Sequence, residues 1–271
     1  MKGIARMRRL ALAVVVVVPT LVLACSKEDP KAVKLAESAS AVAAAAPPPT
    51  AKVMPYAIDP ASKTTIDMPA PNEHIKADTT AAAGNLDVDL MNVENTRGTV
   101  KIDLTTLATH TFDDADKNKS QTDHSHNWLE VGDLVDAATK EANKYAVFAI
   151  QTIDGASAKD VSKVAPVKEG ADDVRTVTLT AHGEFLVHGR KVKKDVPLEA
   201  KFHWSAGADP SAQPTRIDVR STSPMKVILA EHDVKPRDNF GKLAQKSFGL
   251  IGTKVAETAD VTLDLHFTAA K

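Results

Sequence analysis

The sequence predicts an all-β domain built from antiparallel strands, and three observations predict it. Apolar and polar residues alternate with period two along run after run, the mark of strands with one buried face. Only one stretch of any length, residues 128–144, carries apolar residues at helical spacing. No break in composition divides residues 56–271, which suffice for one large β domain. Many amphipathic strands in one domain close as a barrel or pack as a sandwich.

The chain opens with Lys2, Arg6, Arg8 and Arg9, followed by an apolar run over residues 10–23 that is too short for a membrane span. Val22-Leu23-Ala24-Cys25 ends the run on the sole cysteine. This order resembles a bacterial lipoprotein signal. The resemblance implies removal of residues 1–24, a diacylglycerol on the Cys25 thiol and a fatty acid such as palmitate on the new amino terminus. Each buried methylene contributes about 0.8 kcal/mol, so several chains make a stable membrane anchor where one would not. Ser26 stands where lipoproteins kept at the inner membrane often carry Asp. The expected location is the cell envelope, lipid-anchored at the outer membrane and facing the periplasm. An ordinary signal peptide would instead leave an unpaired thiol in an oxidising compartment.

The removed segment takes four positive charges and no negative ones, so the formal charge moves from −1 to −5. With 4% aromatic residues as well, the mature chain offers neither the basic patch nor the stacking surface that nucleic acid requires. Residues 25–55 are rich in Ala, Pro, Ser and Lys and include Pro47-Pro48-Pro49. Such a segment buries too little apolar surface to offset its ordering entropy. It is expected to be a disordered tether, spanning at most about 90 Å extended and about 30 Å as a coil. A helix over residues 31–46 is the rival reading.

From residue 56 the expected domain runs strand by strand. Leu86, Val88 and Leu90 alternate with Asp87 and Asp89, and after a turn at residues 94–98, Val100, Ile102 and Leu104 alternate with Lys101 and Asp103. These two runs predict a hairpin. The stretch at residues 128–144 is the expected helix, weakened in its first turn by Gly132. Val177 and Leu179 then alternate with threonines, and Val196, Leu198, Ala200, Phe202 and Trp204 share one parity of the next run. Ile217 and Val219, then Val227 and Leu229, predict two short strands around a turn near Pro224. Residues 242–251 are a second short helix or turn. Val261, Leu263, Leu265 and Phe267 form the last strand.

The order of several short motifs resembles the YceI-like family of bacterial periplasmic proteins. Tyr56-Ala57-Ile58-Asp59-Pro60-Ala61-Ser62 is similar to its first strand, and Arg97-Gly98-Thr99-Val100-Lys101-Ile102-Asp103-Leu104 to its Gly-bearing hairpin. Gly183-Glu184-Phe185-Leu186-Val187-His188-Gly189 resembles its Gly-x-Leu-x-x-His-Gly strand and turn. Arg237-Asp238-Asn239-Phe240-Gly241 and Gly252-Thr253-Lys254-Val255 resemble its closing segments. The departures are Phe185 in place of Leu, Asn239 in place of Asp, Arg190-Lys191-Val192-Lys193-Lys194 lengthening the turn, and an unusual segment over residues 113–128. The resemblance implies an extended, antiparallel, lipocalin-like β-barrel with one or two short helices. It also implies non-catalytic binding of an isoprenoid, such as an isoprenoid quinone, or a similar amphiphilic lipid.

Candidate interior residues of such a barrel are Val177, Leu179, Val196, Leu198, Phe202, Trp204, Leu263, Leu265 and Phe267. The same alternation fits a packed interior, so an envelope structural or stress-related interaction module is the alternative. His124 and His126 would share a face if extended, but a lone His-x-His in a polar loop is weak as a metal site. Asp114, Asp116, Asn118 and Ser120 mimic odd positions of a calcium loop, yet Lys119 replaces its Gly and Ser125 its Glu. No metal is expected. Catalysis finds no nucleophile elbow and no free thiol once Cys25 is acylated. The charged run Glu231-His232-Asp233-Val234-Lys235-Pro236-Arg237 reads as a solvated turn.

Overall fold

Strand after strand, the alternating runs find antiparallel partners. The computed structural model describes residues 35–69, 74–235 and 256–270. In chain order these hold β1 (Glu37–Ser38), β2 (Val53–Ile58), β3 (Lys63–Pro69), β4 (His74–Thr79), β5 (Ala82–Asp89), β6 (Arg97–Asp103) and β7 (Ala108–Thr109). Two helices follow, α1 (Ala115–Trp128) and α2 (Ala137–Asn143). Then come β8 (Tyr145–Asp154), β9 (Val167–Glu169), β10 (Asp172–Val187), β11 (Arg190–Ser205), β12 (Arg216–Ser221), β13 (Met225–Ile228) and β14 (Thr258–Ala269).

Eight of these strands close a ring in the order β11, β10, β8, β6, β5, β2, β14, β12 and back to β11, every pair antiparallel. Closure removes the free edges that an open sheet would expose. The β14 strand has two roles. Its second half pairs with β12 and β2 to close the ring, while its first half pairs with β13 and β3, so that β3, β4 and β7 extend the wall at that end. The predicted hairpin is β5–β6, with Asp87 opposite Arg97.

The longest hairpin pairs all sixteen residues of β10 with the sixteen of β11. Its turn is only His188 and Gly189, at φ +49 and +65. A two-residue turn with both φ values positive matches the twist of the strands it joins. Arg190 to Lys194 therefore lie in β11 and do not lengthen the turn, contrary to the sequence expectation.

Three other expectations are corrected. The polar loop expected around His124 is α1, a 14-residue helix. Asp114 caps it by accepting from the amides of Asp116 at 3.0 Å and Lys117 at 3.1 Å. It docks through polar bonds: Thr122 Oγ1 accepts from the Thr109 amide at 2.9 Å, and the Thr109 hydroxyl donates to Asn118 O at 2.8 Å. The helix expected over residues 128–144 shrinks to α2, because the chain turns at Glu130 and Gly132 before Asp136 caps the new helix.

The expected tether is ordered from residue 35 onward. Its β1 pairs with β11, Ala45 N donates to Ile150 O at 3.0 Å, and Gln151 Nε2 donates to Ala43 O at 2.7 Å. Barrel backbone and side-chain bonds supply the ordering that the segment's own composition cannot. Residues 1–34, with Cys25, lie outside the described residues, as do the closing motifs at 237–241 and 252–255 and the helix or turn at 242–251.

Candidate functional site: a two-chambered barrel interior

Inward-facing residues along the ring strands leave two chambers. The larger has a volume of about 140 Å³ and is lined by β3, β6, β8, β10, β11, β13 and β14, with Trp128 and Leu129 from the end of α1. The smaller, of about 70 Å³, lies further along the same axis. Val100, Phe148, Val196 and Leu263 line both, so the chambers meet at a common waist. Thr64, Ser125 and Thr96 are the only polar residues among the two walls.

Of the nine residues expected to face the interior, Leu179, Leu198, Phe202, Leu265 and Phe267 line the smaller chamber, and Val196 and Leu263 line both. Val177 and Trp204 line neither. They share the inward parity but sit where the barrel is packed shut, at 0% and 1% exposure. There the Trp204 indole N–H donates to Ala212 O at 2.8 Å, and the Tyr56 hydroxyl donates to Pro214 O at 3.0 Å. Burial pushes the Tyr56 hydroxyl pKa up, so it stays a neutral donor.

The sequence reading missed the walls supplied by β3, β6, β8 and α1. In β8 the run Tyr145-Ala146-Val147-Phe148-Ala149-Ile150 does not alternate, because both its faces are covered. Ala146 and Ile150 face the chambers, while Val147 and Ala149, on the opposite parity, are also buried. The docked segment around Ala43 and Ala45 bonds to this strand. A continuous apolar run of six was the available cue for a strand covered on both faces.

Three chain segments are knotted together beside the larger chamber. His188 in the β10–β11 turn places Nε2 at 2.7 Å from Glu130 Oε2 and Nδ1 at 3.1 Å from His232 O. In return His232 Nδ1 donates to Arg190 O at 3.0 Å and Val187 O at 3.3 Å. Glu130, His188 and Asp233 carry φ values of +54, +49 and +56, the only positive φ values outside glycine among the described residues. Left-handed backbone at such residues is costly and persists where surrounding contacts hold it. Leu129, Val187, Leu229 and Val234, which flank the knot, line the larger chamber. His232 is fully buried with its ring edge on Phe185, and burial pushes its pKa down. The neutral imidazole is the form that fits.

A second polar row lies on the outside of the barrel. Asp218 places one carboxylate oxygen 2.8 Å from His203 Nε2 and the other 2.7 Å from His266 Nδ1. Arg216 Nη2 lies 3.0 Å from His203 Nδ1. Burial pushes the Asp218 carboxyl up, but bonds from His266 and Arg216 and the neighbouring His203 outweigh it and hold its pKa low. These residues have the opposite parity to Phe202, Ile217 and Leu265, so the row braces β11, β12 and β14 and does not reach the chambers. Among the described residues no group of three or more His, Cys, Asp or Glu is placed to hold a metal ion. His124 and His126 lie on α1, where His126 Nε2 is bonded at 2.9 Å to Leu107 O. Asp116, Asn118 and Ser120 are helical as well, behind the Asp114 cap, so the calcium-loop mimic is not a loop.

No protein-family model matches the chain, and no curated protein matches it. Among solved structures, the chain is similar to a polyisoprenoid binding domain from Saccharophagus degradans implicated in plant cell wall breakdown. That match has 15% identity and a TM-score of 0.46, and covers 80% of this chain and 99% of the other. The chain is also similar to BcnA of Burkholderia cenocepacia, at 13% identity and a TM-score of 0.45, covering 79% of this chain and 99% of that one.

Proposed function

We propose that the chain is a non-catalytic binding protein that holds the hydrocarbon of an isoprenoid or similar amphiphilic lipid inside its barrel, anchored to a cell-envelope membrane through lipidated Cys25. The observation that carries this reading is the pair of apolar chambers inside a closed ring of strands. Burial at about 25 cal/mol per Å² of apolar surface favours a hydrocarbon there without directed hydrogen bonds. An apolar cavity of about 150 Å³ stays dry and takes up a benzene-sized molecule, and the larger chamber is of that order at about 140 Å³. The resemblance to the YceI-like family points to the same ligand class, and two residues of its central motif, Phe185 and Val187, line the larger chamber.

The anchor follows from the lipoprotein-like start of the sequence. Because residue 36 already bonds to the barrel, residues 25–34 alone separate the acylated cysteine from the folded body. Ten residues span at most about 35 Å, so the barrel would work close to the membrane surface, most readily at the outer membrane facing the periplasm. Organic extraction of the protein purified from its native membrane, followed by mass spectrometry, tests the reading. A stoichiometric isoprenoid or related lipid supports it, and a lipid-free protein that takes up none from added vesicles overturns it. Cys25→Ser is expected to move the protein from the membrane to the soluble fraction.

A further inference from the structure

The two chambers are separate volumes, and the ring of Phe148 stands between them. Phe148 lies on β8 directly opposite Phe185 of β10, one inward position from Gly183. The β8–β10 register shifts between His182 and Gly183, and the β8 backbone passes close to Gly183 there. A Cβ built on Gly183 would fall 2.6 Å from Phe148 Cζ and 2.6 Å from Ala149 O. The Phe148 ring therefore occupies the space that a side chain at Gly183 would fill. It is only partly buried although it faces inward, and it lines both chambers.

We propose that Phe148 sets the length of hydrocarbon that the barrel accepts. This rests on the reading of the barrel as a lipid holder. A chain of about six carbons matches the larger chamber, which is of the size that takes one benzene. A longer chain reaches the smaller chamber only by turning the Phe148 ring away from the waist. Trp204, Tyr56 and Val177 close the far end, so the smaller chamber is the last space available to the tail. The ligand class is then a narrow hydrocarbon tail, isoprenoid or unbranched, that enters lengthwise. The polar head stays at the end of the larger chamber away from the waist, since the chamber walls offer it little.

Binding of 1-hexanol and 1-dodecanol to the full chain, measured by calorimetry, tests this through the ratio of the two affinities. Removing the ring in Phe148→Ala merges the chambers, and the dodecanol-to-hexanol ratio is expected to rise about tenfold, since several more methylenes are buried without displacing a ring. Leu179→Phe fills the smaller chamber, which Leu179 lines alone of the two, and is expected to lower the ratio by a similar factor. Thermal unfolding checks that each variant folds, and the Leu179 variant carries the test if the Phe148 variant does not. An unchanged ratio in the folded variants overturns the role of Phe148 while leaving lipid binding intact. Failure of the wild-type chain to bind either alcohol overturns the lipid-holder reading and this inference with it.

Discussion

The protein's two tryptophans mark opposite ends of the barrel interior, and they are treated in opposite ways. Trp204 is fully buried, its indole N–H bonded to Ala212 O and its ring beneath the Arg175 guanidinium at 5.1 Å. Trp128, at the end of α1, lines the larger chamber, and its buried indole nitrogen has no hydrogen-bond partner. At the Trp204 end the large inward side chains meet and satisfy their polar atoms on nearby carbonyls. At the Trp128 end the ring of eight strands gives way to β3, β13, α1 and the Leu229–His232 turn, and smaller inward residues such as Ala146 and Ala259 leave space. One end is a closed floor, the other a room built from borrowed walls.

The largest expected effect is on the floor. Trp204→Ala removes a ring packed against Phe202 and a satisfied N–H, and should cost about 3–5 kcal/mol in urea unfolding. Trp128→Ala should cost markedly less, because that ring already borders empty space. Equal losses would erase the contrast between the ends. At the waist, Gly183→Ala presses on Phe148 and on the Ala149 carbonyl, with an expected loss of about 1–3 kcal/mol.

Acid should separate the two ends more gently. The folded state holds His232 neutral, so its contribution is present above the ordinary histidine value of 6.5 and is lost as pH falls below it toward the lowered folded value. Asp218, held below its ordinary value of 3.8, keeps its contribution until pH falls through the carboxylate range. Amide protection factors, each taken against the intrinsic exchange rate at that pH, should therefore fall several-fold at residues 229–234 between pH 7 and pH 5 while those of β12 hold, and a matched fall in both would contradict the assignment. His182, between Asp154 at 2.9 Å and Asp195 at 2.7 Å, runs the other way. Its pKa is raised by the bonds its ring donates to those carboxylates, so its contribution is present below 6.5 and fades as pH rises through the raised value.

Where one face was wet and the other dry, the strands were legible from residue pattern alone. The β5–β6 hairpin, β10, β11, β12 and β14 all follow the alternation of their side chains, and seven of the nine expected interior residues border a chamber. The α1 helix was hidden because it has no buried residue and no apolar stripe; a cap and polar side-chain bonds hold it. The β8 strand was hidden because the docked Ala/Pro segment removed its wet face. Trp204 and Val177 share parity with the chamber residues, and only the closure of the ring decides that their level is packed solid. Parity tells which way a side chain points, and it is silent on how far along the barrel the space ends.

The contrast between the ends is tested most directly by fluorescence with one tryptophan left at a time. In a Trp204→Phe chain, farnesol added in increments should shift Trp128 emission to the blue and saturate, as hydrocarbon fills the larger chamber beside the indole. In a Trp128→Phe chain the same titration should leave Trp204 emission unchanged. A saturable shift in Trp204, or none in Trp128, would contradict a barrel that is closed at one end and receives its ligand at the other.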